Sequence, residues 1–163
     1  MPDATAPTHA PAAPRPTTLL IATVSSIAAL VALAALGLWT EHLLLIPPMA
    51  ASMALVAGAP SLPLAHPRNV VGGQVLSAVV GLFVGLVSHS LWAGAVAGGL
   101  ALGAMLTTRT SHSPAAATAV IGAGTTDGHL SFVLCTGIAA VVLVAFGWAR
   151  GALGGTAYPG YWW

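Results

Sequence analysis

Full charge is nearly absent from this chain, and the few charges present cut it into long oily stretches. Across 163 residues there are four basic side chains and three acidic ones. They are Arg15, Arg68, Arg109, Arg150, Asp3, Glu41 and Asp127. Soluble domains carry about 25% charged residues; here the share is 4%, with a mean hydropathy of +0.92. Such a chain has the bilayer as its solvent and is an integral membrane protein. A formal net charge of +1 leaves no electrostatic footprint for nucleic acid. Cys135 is the single cysteine, so neither an intrachain disulfide nor a cysteine-based metal centre can form. The six histidines show no HxxxH spacing and have few carboxylates to complete a metal site. No Ser-His-Asp, Cys-His or HExxH arrangement points to an enzyme, and no motif points to a cofactor.

Residues 1–18, MPDATAPTHAPAAPRPTT, are rich in Pro, Ala and Thr without a period, and read as a disordered tail. The apolar run Leu19 to Trp39 has the length of a membrane span rather than of a signal-peptide core. Further apolar stretches follow at 43–58, 70–87, 91–106, 114–124 and 130–148. The stretch 43–58 is interrupted by Pro47-Pro48, and 114–124 is led by Pro114. The order is long, short, long, then long, short, long. A helix over 114–124 is about 16 Å long, too short for a hydrocarbon core of about 30 Å. Residues 19–150 form the membrane domain, and 151–163 a short aromatic tail ending in YPGYWW.

The order of elements repeats, and so does local sequence. PMAASMALVAG (48–58) aligns with PAAATAVIGAG (114–124), placing Ser52 opposite Thr118. The expected fold is therefore all-α, with six membrane segments arranged as two inverted repeats of long helix, short proline-led helix and long helix. If the short elements cross, all four arginines fall on one side, and Glu41 and Asp127 on the other. That fits the positive-inside rule with both termini cytoplasmic, in a bacterial inner membrane. If the short elements are re-entrant, the chain crosses four times and the bias disappears.

The short helices also suggest a site. Proline suits the first helical position, so each short helix can begin inside the membrane after an extended approach, TEHLLLI (40–46) or TTRTSHS (107–113). A helix start presents unpaired N–H groups and about half a positive charge. Two starts brought together form an anion site without charged side chains. Around Pro48 and Pro114, the small residues Ala50, Ala51, Ala116 and Ala117 let a small anion approach the backbone, and Ser52 and Thr118 add hydroxyls.

PPMAASMALVAGAPSLPLAHPRNVVGG (47–73), followed by HSPAAATAV (112–120), resembles the HPP family of integral membrane proteins. The resemblance covers about 40–160. It implies a compact multi-helix membrane domain and a transport role, since plastid members are regarded as nitrite transporters. Two departures stand out. The family's His-Pro-Pro signature reads His112-Ser113-Pro114 here, and Gln74 stands where a histidine would be expected. A proton-relay role at position 74 is therefore lost, whereas the helix-starting Pro114 is kept.

The expected function is a transporter or channel for a small monovalent anion, nitrite first, bound where the two short helices start. The alternative is a non-transporting assembly or sensor subunit. Arg68 and Asn69 would guard the mouth of the third long segment, and Arg109 would line the anion path or anchor the surface. His112 would donate to the anion or pass a proton, with His66 next. Glycines 81/85, 94/98 and 99/103 form small-xxx-small faces for packing within the chain or for a homo-oligomer. Trp39, Trp92 and Trp148 read as anchors at the lipid–water boundary.

Overall fold

The computed structural model describes residues 12–154 and 157–162, and no strand occurs among them. Six α-helices follow in order: α1 (Pro16–Thr40), α2 (Pro47–Gly58), α3 (Pro67–Gly85), α4 (Leu91–Thr108), α5 (Ala115–Gly124) and α6 (His129–Gly154). A single 3-10 turn, Pro63–Ala65, precedes α3. Helices α1, α3, α4 and α6 are long and apolar enough to cross a membrane, and α2 and α5 are shorter. Proline begins α1, α2 and α3, where its missing N–H has no helical partner to lose. Pro114 instead occupies the cap position before α5, already in helical conformation. Ser90 caps α4 by accepting the Ala93 N–H at 3.2 Å.

Several boundaries move. Pro16–Thr18, expected in the tail, form the first turn of α1, while residues 1–11 of that tail lie outside the described residues. Helix α4 runs on through Thr108 and ends at Arg109, which caps it in the left-handed region at φ 57°. The polar strand expected over 107–113 is therefore extended only at 110–112. Helix α6 continues to Gly154, into the expected tail.

The packing fixes the direction of each element. Residues 42–44 fold back over Gly37 of α1, so α2 runs antiparallel to α1. Its Met53 clusters with Cys135 and its Val56 touches Gly147, so α2 runs parallel to α6. Ala119 and Ala123 of α5 sit on Gly81 and Gly85 of α3. The His89 ring bonds the Ala123 carbonyl at 2.9 Å, which brings the α3–α4 loop to the end of α5. At the opposite end, Arg68 donates to the Thr108 carbonyl at 3.1 Å and Tyr158 to that of Ala65 at 2.9 Å. Successive elements thus alternate in direction. Arg15, Arg68, Arg109 and Arg150 gather at one end of the bundle, and Glu41 and Asp127 border a common cavity at the other.

Helix α5 packs between α3 and α4, and α2 between α1 and α6. Each short helix thus touches the first long helix of its own half and the last long helix of the other. The buried positions follow the same rule. Met49, Ser52, Met53, Val56 and Ala57 of α2 correspond, sixty-six residues on, to Ala115, Thr118, Ala119, Gly122 and Ala123 of α5, all buried. Buried Asn69, Val70, Gly73, Gln74, Ser77, Ala78, Gly81 and Gly85 of α3 likewise correspond to buried positions 135, 136, 139, 140, 143, 144, 147 and 151 of α6. Gly81 and Gly85 let α3 reach the α5 backbone: a Cβ on Gly81 would collide with the Ala119 oxygen. Gly94 and Gly98 of α4 receive Val120 of α5, whereas Gly99 and Gly103 face open space.

Candidate functional site

The centre of the bundle holds a line of polar side chains that the apolar sequence around it disguises. Ser52 and Thr118 are both fully buried on the inward faces of α2 and α5. Gln74, fully buried on α3, stands between them. Its amide donates to Ser52 Oγ at 2.8 Å, and its carbonyl oxygen accepts from Thr118. His112, in the extended segment before α5, meets Ser52 from the other side, with Nε2 2.8 Å from Ser52 Oγ. Its Nδ1 lies 2.7 Å from the Leu64 carbonyl. Gly73 makes room for this segment, because a Cβ there would lie 2.7 Å from the Thr110 oxygen and 2.8 Å from the His112 Cβ.

A carbonyl oxygen only accepts, so the Leu64 contact places a proton on His112 Nδ1. In a neutral ring Nε2 is then an acceptor. The Ser52 hydroxyl has a second acceptor in reach, the Pro48 carbonyl at 2.8 Å. One hydroxyl proton therefore serves two acceptors. Were Nε2 to gain a proton, Ser52 would turn its own proton wholly to Pro48 and accept from both Gln74 and His112. The cluster thus has a fully hydrogen-bonded arrangement for a charged His112 as well. Gln74 gives one of its two amide hydrogens to Ser52. Ser77, one turn further along α3, is buried, and its hydroxyl has no partner among the described residues.

Both short helices begin beside this cluster, but their first N–H groups are already engaged. Pro47 and Pro48 have none, and Met49 donates to Ile46 at 2.8 Å. Ala115, Ala116 and Ala117 donate to His112, Ser113 and Pro114 at 2.9, 3.3 and 3.2 Å. These tight turns replace the row of free donors anticipated at a helix start. The donors facing the interior are side chains: Ser52, Thr118 and the Gln74 amide.

The other expected site residues lie apart from the cluster. Ala50, Ala51 and Ala117 point outward, while Ala116 and Pro114 are half-buried. Pro48 is buried and takes part through its carbonyl. Asn69 donates to the Pro63 carbonyl at 2.9 Å, bracing the turn before α3. Arg68 lines a cavity of about 550 Å³ with Thr110 and Trp162, and Arg109 is exposed beside it at the end of α4. At the opposite end a cavity of about 300 Å³, bordered by Glu41, His42 and Asp127, reaches inward to Ile46 and Cys135. Among the described residues no group of His, Cys, Asp or Glu could hold a metal ion.

Sequence reasoning noted Gln74 only as a departure from the family's pattern and passed over Ser77. A neutral amide inside an oily helix was the signal available, since its burial demands partners. His66 is buried under the aromatic tail, its ring 4.0 Å from that of Tyr161. Tyr158 of that tail is buried too, and burial raises its pKa above the ordinary phenol value despite the nearby Arg150 charge.

Over residues 11–159 the chain matches the family described as HPP, transmembrane region. It is similar to a transmembrane protein of Dictyostelium discoideum, with 43% identity over 86 residues. That alignment covers 50% of this chain and 28% of the relative, so the chain spans well under half of that protein's length. No solved structure matches it. With the match running from residue 11 to residue 159, the chain belongs to the HPP family of transmembrane proteins.

Proposed function

We propose that this protein carries a small monovalent anion, nitrite being the first to test, across a bacterial inner membrane through the junction of α2 and α5. One observation carries the reading: Ser52, Gln74, Thr118 and His112 form a buried hydrogen-bonded cluster where two short helices meet. Intramembrane polar groups are costly, and they mark ion and substrate paths. The cluster offers hydroxyl and amide donors and no carboxylate, which suits an anion. One cavity lies at each end of the bundle, neither of them lined by a residue of the cluster.

In this reading all six helices cross, the two short ones together with the extended segments before them, and the halves form inverted repeats with both termini cytoplasmic. The alternating directions, the shared sixty-six-residue burial pattern and the arginines at one end support it. The anion takes the spare Gln74 amide hydrogen and the Thr118 hydroxyl turned from Gln74, and the Ser52 hydroxyl while His112 is neutral. His112 is the group able to accept an accompanying proton, with Ser52 turning to accommodate it. Arg68 and Arg109 draw anions to the arginine end.

The test is flux into liposomes holding the purified protein, comparing nitrite with nitrate, formate and chloride, with and without a pH gradient. Selective nitrite flux that falls in Ser52→Ala and Thr118→Ala supports the proposal, and dependence on the gradient marks a proton-coupled carrier rather than a channel. Absence of flux for every anion, from folded protein, would favour a non-transporting assembly or sensor subunit.

A further inference from the structure

The three carbonyls of the 3-10 turn Pro63–Ala65 are each taken by a side chain from a different part of the chain. Pro63 accepts from the Asn69 amide of α3 at 2.9 Å. A 3-10 turn would give the Leu64 carbonyl the N–H three residues on, but that residue is Pro67, which has none. The Leu64 oxygen accepts instead from His112 Nδ1 at 2.7 Å. The Ala65 oxygen accepts from the Tyr158 hydroxyl at 2.9 Å. Ala65 is wholly buried, so bulk water cannot stand in for that donor. The C-terminal segment and the polar cluster therefore hold adjacent carbonyls of one short turn.

The packing of three helices fixes the Tyr158 ring. It clusters with Val56 of α2, Val70 of α3, and Ala140 and Val144 of α6. Gly147 leaves the room for it: a Cβ there would lie 2.7 Å from the ring Cε1. Tyr161, three residues on, makes a separate contact, its ring 4.0 Å from that of His66. The hydroxyl of Tyr158 and the ring of Tyr161 can therefore be removed one at a time.

We propose that Tyr158 is a positioning residue for His112, acting through the turn between them. Its hydroxyl holds the turn at Ala65, and the turn holds the Leu64 oxygen against His112 Nδ1. The bond at one ring nitrogen sets which nitrogen carries the proton. Nδ1 keeps it, and Nε2 stays an acceptor for Ser52. Without the hydroxyl the turn is no longer held at Ala65, and the Leu64 oxygen is free to move from Nδ1. The ring then shares its proton between both nitrogens, and Ser52 loses a fixed acceptor. The assignment deepens the transport reading, on which the role of His112 in the path rests, but the position of the ring proton is measured without transport.

The test is 15N NMR of the full chain in lipid nanodiscs with its histidine rings labelled, the His112 pair being assigned by its loss in His112→Asn. In the wild type the two nitrogens should be widely separated in shift, one protonated and one bare. Tyr158→Phe keeps the ring and removes only the hydroxyl, and the two His112 signals should move toward each other. Tyr161→Leu removes the contact with His66 and keeps the hydroxyl, and should leave them in place. Gly147→Ala displaces the Tyr158 ring and takes the place of Tyr158→Phe if that variant does not fold. A wild-type pair already averaged, unmoved signals in the Tyr158 variant or its replacement, or an equal movement in Tyr161→Leu would each overturn the assignment. A moved His112 pair beside no nitrite flux from the wild type would contradict the transport reading alone.

Discussion

The two packed groups of the bundle, α1/α2/α6 and α3/α4/α5, bury the same positions with different chemistry. Ser52 and Thr118 correspond sixty-six residues apart, and both carry hydroxyls. His112, however, corresponds to Ile46, and Gln74 to Ala140, all four being buried. The group α1/α2/α6 buries Ile46 and Ala140 where the group α3/α4/α5 buries His112 and Gln74. The polar pair is thus not needed to build the helix contacts, since apolar residues fill the equivalent places. Buried polar groups are harder to satisfy than apolar ones. The asymmetry therefore assigns His112 and Gln74 to the site rather than to the scaffold.

This comparison can be broken at several points. The largest effect is expected from Gln74→Leu, which leaves the Thr118 hydroxyl without its partner and takes one of three from Ser52. Each buried group left unpaired costs about 1–3 kcal/mol, and nitrite flux should drop to background; liposome flux and thermal unfolding read the two losses. Next come the paired glycines. Gly81→Ala drives a Cβ onto the Ala119 backbone, whereas Gly147→Ala meets the side-chain atoms of Val56 and Tyr158. Overpacking costs about 1–3 kcal/mol, and Gly81→Ala should sit at the upper end because a backbone yields less than a side chain. Equal losses in unfolding experiments would mean that the α3–α5 contact is looser than described.

Smaller effects sharpen the contrast. Ser52 has three hydrogen-bonded neighbours and Thr118 one, so Ser52→Ala should destabilise more than Thr118→Val, by about 1 kcal/mol. The smallest change is Ile46→Val, opposite in the repeat to His112. It should cost about 0.5–1.5 kcal/mol and leave flux unchanged. A flux defect there as large as that of His112→Ala would erase the functional difference between the two groups.

Much of the architecture was legible in the sequence. Long apolar runs give α1, α3, α4 and α6 within a few residues, and Pro47-Pro48 and Pro114 mark the starts of α2 and α5. The pairing of Ser52 with Thr118 was visible once the prolines were aligned. The inward face of each helix was not. In a soluble helix the buried stripe differs in polarity from the exposed one, but in lipid both faces are apolar. Leu38 is exposed while Leu33 is wholly buried, and nothing in their chemistry separates them. The burial of Arg150 was hidden too: the sequence places it only among four arginines at one end, and the packing of α6 beside Tyr158 covers it.

Gln74 is the chain's only glutamine, so labelling the protein with [15N]glutamine lights a single side-chain amide at the centre of the cluster. Nitrite titrated against this sample in lipid nanodiscs is the most direct test of where the anion binds. The account predicts a saturable shift of the Gln74 side-chain amide that disappears in Ser52→Ala. An unmoved amide at nitrite concentrations that sustain flux would contradict it and place the path elsewhere in the bundle.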